Sequence, residues 1–394
     1  DHTISPLECK SFPWFHKGVD FSVLKRIDYR IIPIIALLMV ISLLVISSVT
    51  TQIDHLDSAP LLTPLAKNQL KRFVLGWVIF FALAAFDYRK LRNFTWFLYL
   101  FMILLLIGVL FTAPVHSARR WYRIPFIGFA IQPSEYAKLI VVMTLSWFLE
   151  KKSRSIGLMG SALQAGLIAL IPFMLILKQP DLGSALVLYP ITLVMFYFGG
   201  VNKWVIRIML SLMAVGLAVV LTIFSGLISH EAAKPVATKV LKEYQYERLR
   251  PDTYHQRASK IAIALGGVKG SGFRKSRFTG RKWLPEASTD SVFAAYAEEY
   301  GLAGVLFLLL LFLALIYCGF EVTTAAKDHY GRLLSSGITV YLAFHVIVNV
   351  GMMCKLLPIT GVPLVLVTYG GSSVLTTMGA LGLLQSIYTR RFMF

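Results

Sequence analysis

The sequence is short of charge, of acid and of cysteine, and each shortage closes off a class of protein. Charged residues make up 15% of its 394 positions, where soluble domains carry about a quarter. No separate soluble domain of ordinary size is expected. Asp and Glu number 20 against 39 Lys and Arg, a net charge of +19. The basic residues are scattered among apolar runs and form no single stripe, which argues against a nucleic-acid partner. Cys9, Cys318 and Cys354 have neither paired nor metal-ligand spacing. That argues against a disulfide framework or a zinc site and predicts buried, inert thiols. A cleaved secretory signal is not expected either, because the first apolar run is long enough to remain as an anchor.

What the chain has is apolar sequence, 57% of it hydrophobic. Runs long enough to span a hydrocarbon core recur along nearly its whole length. Spans are expected near Ile31–Val49, Leu70–Phe86, Phe94–Ala113, Glu135–Leu149, Ile156–Leu177, Leu182–Phe198, Val205–Ile228, Gly301–Phe320, Leu333–Met353 and Pro363–Ile387. The predicted fold class is thus an all-α integral membrane protein of about ten transmembrane helices. An even number of spans puts both termini on one side. The tails and the loops on that side hold twice the Lys and Arg of the short opposite loops, so that side is predicted to be cytoplasmic. The chain then divides into a cytoplasmic tail (1–30), helices 1–7 (31–228), a long extracytoplasmic loop (229–300), and helices 8–10 with a short cytoplasmic tail (301–394).

The long loop is the unusual part. Between Lys234 and Lys282 it holds 13 basic residues against Glu243, Glu247 and Asp252. Residues Asp252 to Leu265 suit an amphipathic interfacial helix, and Gly266, Gly267, Gly270 and Gly272 end it. Asp290 follows in Leu284-Pro285-Glu286-Ala287-Ser288-Thr289-Asp290, ahead of a helical run toward Glu298 and Glu299. Thr289 or Asp290 could cap that run. Alternatively the carboxylate acts as a general base or holds a divalent cation such as Mg²⁺ or Mn²⁺.

Other charges are placed on the same face. Arg119, Arg120 and Arg123 flank Trp121 in a short outer loop, where they meet lipid headgroups or bind a phosphate. In Gln132-Pro133-Ser134-Glu135-Tyr136-Ala137-Lys138, Pro133 suits a first helical turn, and Glu135 and Lys138 share one helix face and can pair. The pair is either structural or part of a site. Asp181, in Lys178-Gln179-Pro180-Asp181, favours a helix N-terminus. Proline and paired glycine in Leu357-Pro358-Ile359-Thr360-Gly361-Val362-Pro363 and Thr368-Tyr369-Gly370-Gly371-Ser372-Ser373 suggest a broken helix. Such backbone is tolerated at membrane depth only against protein or a water-filled cavity.

Taken in order, Arg-Trp, QPSEYAKL, KQPDLGSA, LPEASTD with AEEYG, NVGM, LPITGVP and TYGGSS resemble the SEDS family of RodA, FtsW and SpoVE from the first span to the last. The segment Phe86 to Asn93 makes the likeness strongest to the RodA, or elongation, branch, with the FtsW division branch as the alternative. The resemblance implies a ten-helix glycosyltransferase of the bacterial cytoplasmic membrane, with its active site outside, that polymerises lipid II into peptidoglycan strands. It also implies a class B penicillin-binding protein transpeptidase and the membrane proteins of the elongation complex as partners. Asp290 matches the family's essential acid. Arg120 and Trp121 match its Arg-Trp pair, Glu135 and Lys138 its charged pair, and Gln179 and Asp181 its QPD motif. Together with Glu286 and Thr289 these are the expected substrate-binding residues, with Asp290 as the catalytic one.

The chain departs from the family's pattern at Ser288 (usually His), Ser291 (Phe), Ser117 (Gly), His255 and Ala258 (Gln) and Lys355 (a small residue). Two other functions fit the residues. A lipid II flippase would use buried charge and broken helices near the midplane, and a scaffold would only dock the transpeptidase.

Overall fold

The computed structural model describes residues 21–51, 60–113, 119–124, 129–225 and 253–392, together with Leu227, Lys234, Tyr246 and Arg250. Cys9, Ser117, Glu243, Glu247 and Asp252 lie outside the described residues. The described chain is mostly helical. Its helices are α1 (Ile31–Thr50), α2 (Pro64–Ala85), α3 (Leu91–Gly108), α4 (Pro133–Lys151), α5 (Met159–Lys178), α6 (Leu182–Phe198), α7 (Lys203–Phe224), α8 (Tyr254–Gly266), α9 (Arg277–Gly280), α10 (Val292–Ala325), α11 (His329–Met353) and α12 (Gly371–Thr389). Among the described residues, six stretches, α1, the Tyr88–Phe111 stretch containing α3, α5, α7, α10 and α11, are long and apolar enough to cross a membrane, and α6 is a shorter apolar helix.

Local chemistry sets several helix starts. Pro133 opens α4. The side chains of Asn202, Thr253 and Asp328 accept from backbone N–H groups in the first turns of α7, α8 and α11. Each satisfies a donor that the helix cannot. The expected amphipathic helix after Asp252 is α8. Helix α11 packs on α4, α6, α10 and α12, while α2 lies along α12.

Four points of the fold bear on these expectations. First, the run after Asp290 and the span expected from Gly301 are two helical stretches, as expected; they are labelled together as α10 and are separated by a non-helical bend at Gly301 (φ 63). A Cβ there would lie 2.4 Å from Gly270 N and 2.7 Å from Val268 O, so only glycine lets the long loop press into the bend. Second, the last helix begins at Gly371, not Pro363. Leu364 to Val367 are buried yet non-helical, and Leu366 has φ 62. Their backbone is satisfied from elsewhere: Ser42 Oγ donates to Val367 O (2.7 Å), Leu364 N donates to Thr368 Oγ1 (2.8 Å), and Gln69 Nε2 donates to Thr368 O (3.3 Å). Third, the fold is not purely α. Tyr122–Ile124 (β1) and Phe129–Ile131 (β2) form an antiparallel hairpin, whose ends deliver Trp121 and Gln132. Fourth, Cys318 is buried as expected but Cys354 is exposed.

The basic tract around Arg274 also finds its role. Arg274 donates to Ser47 Oγ (2.9 Å), Pro60 O (2.6 Å) and Leu61 O (3.0 Å), which ties the loop to the end of α1. Glu298 accepts from Phe278 N (2.9 Å) and Thr279 N (3.0 Å), and Glu299 accepts from Arg274 N (3.1 Å). These two acids, just before the bend of α10, therefore fasten the loop and do not line the cavity, whereas Glu286 and Asp290 do.

Candidate active site

A cavity of about 1100 Å³ opens where the long loop, the β hairpin, the N-terminal ends of α4 and α6 and the irregular segment before α12 converge. Of the residues singled out in the sequence, Arg120, Trp121, Glu135, Asp181, Glu286, Thr289 and Asp290 line it. Lys138 and Gln179 do not. Lys138 lies behind Glu135, and Gln179 is fully buried, donating to Leu106 O (2.9 Å).

Asp290 does not cap α10. The N-cap position is Ser291, with no side-chain cap bond, and Thr289 Oγ1 instead donates to Glu286 Oε2 (2.8 Å). The segment is held from behind by backbone contacts. Asn349 Nδ2 donates to Asp290 O (3.1 Å) and Val362 O (2.8 Å), Tyr369 N donates to Ser288 O (2.9 Å), and Thr368 Oγ1 donates to Thr289 O (3.2 Å). Gly361 (φ 76) passes so close that a Cβ there would meet Asp290 Oδ2 at 3.4 Å. The broken segment thus presents Asp290 to the cavity from a fixed backbone.

Arg120 lines the same cavity. Its Nε donates to Gln179 O (3.1 Å), a second nitrogen donates to Pro180 O, and a third stands 4.0 Å from Asp181 Oδ1. Asp181 keeps the helix-start role read from the sequence, accepting from Ser184 N (3.3 Å). It also accepts from Ser134 Oγ (2.8 Å) and Gln132 Nε2 (3.0 Å).

The expected Glu135–Lys138 pair forms at 2.8 Å with both side chains buried. It has a third member that sequence reasoning missed. His345 Nε2 is 2.8 Å from Lys138 Nζ, and His345 Nδ1 is 2.9 Å from Tyr341 O. A carbonyl only accepts, so Nδ1 carries the imidazole proton and Nε2 accepts from the lysine. Lys138 therefore donates to both neighbours, while Glu135 Oε2 has no hydrogen-bond partner among the described residues. The signal was available: a histidine inside an apolar span is a functional candidate by default.

Arg250, Thr253, Tyr254, His255, Arg257 and Tyr369 complete much of the polar wall. His255 and Ser291, both departures from the family pattern, meet each other, with Nε2 and Oγ 2.6 Å apart. Burial pushes the His255 imidazole below its ordinary pKa, against an opposing pull from Glu286, so it is neutral near pH 7. The site thus sets several cations and a group of carboxylates around one cavity. That suits a substrate with both phosphate and sugar hydroxyl groups.

Comparison with known proteins bears on this arrangement. The FtsW/RodA/SpoVE family, described as "Cell cycle protein", matches residues 29–392. The peptidoglycan glycosyltransferase MrdB of Escherichia coli (strain K12) is 33% identical over 339 residues, covering 83% of this chain and 86% of that protein. The peptidoglycan glycosyltransferase RodA of Treponema pallidum (strain Nichols) is 32% identical over 390 residues, covering 82% and 89%. Among solved structures, a chain of a peptidoglycan synthase complex, studied for the coordination of polymerization and crosslinking, superposes with a TM-score of 0.72 at 26% identity. It covers 93% of this chain and 99% of that one.

Proposed function

The chain belongs to the FtsW/RodA/SpoVE family, and on that footing we propose that it is a peptidoglycan glycosyltransferase that polymerises lipid II at the cavity beside Asp290. It is a multi-pass protein of the bacterial cytoplasmic membrane. Both termini face the cytoplasm and the cavity opens on the other side, a reading supported by the distribution of Lys and Arg. The elongation role is favoured by relatives named MrdB and RodA. A class B transpeptidase is the natural partner, in keeping with the synthase complex among the solved structures.

The observation that carries the reading is the cavity itself: Asp290, held by Asn349 and the broken segment, lines the same cavity as Arg120, Arg250 and Arg257. In the reaction the acceptor's 4-hydroxyl oxygen bonds to the donor's anomeric carbon, and the bond from that carbon to the lipid pyrophosphate breaks. Asp290 takes the hydroxyl proton as general base. The arginines stabilise the negative charge that grows on the departing pyrophosphate. Glu135 and Asp181 accept from sugar hydroxyls, with Lys138 and Gln179 as positioning residues behind them. A Mg²⁺ or Mn²⁺ ion would find hard oxygen donors in Asp290 and Glu286 and would supply further charge for the leaving group.

The test is polymer formation from labelled lipid II by the purified chain, with and without a class B transpeptidase and with and without magnesium. Glycan strands are expected from the complex. Transfer of lipid II across a sealed vesicle with no polymer under any condition would overturn the reading.

A further inference from the structure

Helix α8 is amphipathic in the reverse sense of a helix on a soluble core. Its buried side is polar or small: Gln256, Ala258, Ser259, Ala262 and Gly266. Its exposed side carries Ile261, Ala264 and Leu265 and continues into exposed Val268. Lys260 and Lys269 are exposed at the two ends of that apolar strip.

The position of this strip relative to the membrane follows from α10. After the kink at Gly301, residues 302–325 alone are long enough to cross a hydrocarbon core of about 30 Å. Leu302, Leu306, Leu310 and Leu313 are exposed along that stretch, as lipid-facing residues of a span are. The C-terminal end of α8 is bonded to the first turn of it. Leu302 N donates to Gly267 O (2.9 Å), and a Cβ on Gly266 would lie 2.0 Å from Ala297 O. The apolar strip is therefore level and continuous with the point where α10 enters the membrane.

We infer that α8 is a membrane-interface anchor on the cavity side of the bilayer. Ile261, Ala264, Leu265 and Val268 lie at the acyl boundary, and Lys260 and Lys269 reach the phosphates of anionic phospholipids. Because Thr253, Tyr254, His255 and Arg257 at the other end of α8 line the cavity, the bilayer surface itself fixes one wall of the site. The inference holds whichever chemistry the cavity performs.

The test places nitroxide labels at Tyr254→Cys, Leu265→Cys and Val268→Cys, in a chain whose native cysteines are replaced, reconstituted in phosphatidylglycerol–phosphatidylcholine vesicles. The ratio of oxygen to nickel-chelate accessibility should be several-fold higher at 265 and 268 than at 254. Lys260→Glu with Lys269→Glu should lower that ratio in vesicles containing phosphatidylglycerol and leave it unchanged in pure phosphatidylcholine. Photoactivable fatty acid should label peptide 261–268 of the unmodified protein, which gives the same reading without substitution. Free access of the nickel chelate to 265 and 268 overturns the inference. So does protection that appears only on adding a transpeptidase (a protein-docking face) or only on adding lipid II (a substrate groove).

Discussion

Helices α7 and α11 are similar in length and both apolar enough to cross a membrane, yet they live in opposite surroundings. Over its most apolar 18 residues α7 is 6% buried, whereas α11 is 72% buried. In α7 only Ile223 is buried. In α11 the buried set includes Ser335, Ser336, Gly337, Thr339, His345 and Asn349. In a bilayer the apolar face is the outside, so small and polar residues mark the packed interior. The helix that looks less like a membrane span is the one that organises the protein: it fastens Lys138 through His345, and Asp290 through Asn349.

This contrast can be broken by substitution. The largest effect is expected at the charge that α11 supports. Lys138→Met leaves Glu135 buried without its cation, which costs about 3–5 kcal/mol, read as a large fall in thermal stability in detergent. A loss below about 1 kcal/mol would mean that water already screens the pair. Next comes Gly337→Ala on α11, whose Cβ would lie 2.5 Å from Val142 Cγ1 and 3.0 Å from Met195 Sδ. Overpacking of that kind costs about 1–3 kcal/mol.

A pH measurement sharpens the comparison at the loop. His255 is held below its usual pKa of 6.5 by burial. As the pH falls through 6.5 the unfolded chain takes up the proton before the folded chain does, so stability is full above that pH and declines below it. Thermal unfolding at pH 7.5 and 5.5 should differ less for His255→Gln than for the wild type. The smallest effect belongs to α7. A Cβ at Gly216 meets nothing within 4 Å, so Gly216→Ala should not destabilise and should gain about 0.5–1 kcal/mol from helix propensity. A loss there equal to that of Gly337→Ala would erase the distinction between the two helices.

The same distinction explains what could be read in the sequence. Apolar run length located the helices, and for α6 the expected and observed bounds coincide at Leu182–Phe198. The spacing of Glu135 and Lys138 anticipated their pair. Hydropathy cannot separate a buried irregular segment from a helix, so Leu364 to Val367 read as part of a span. It also carries no information on which face is turned inward. Glu135 and Lys138 were therefore both expected at the cavity, although only Glu135 reaches it. His345 joins them from more than two hundred residues away, a contact that no local pattern encodes. The bend between the two helical runs at Gly301 is packed against the backbone of Val268 and Gly270, which also lie beyond the reach of any local pattern.

The central claim is that Asp290, presented by the broken segment and by α11, is the base of the polymerisation. The direct measurement is the rate of polymer formation from labelled lipid II by Asp290→Ala and Asp290→Asn, each assembled with a class B transpeptidase and checked for wild-type thermal stability. A loss of about 10²–10⁴-fold in both variants is predicted for removal of a general base. Polymerisation at the wild-type rate by either folded, partnered variant would contradict the account.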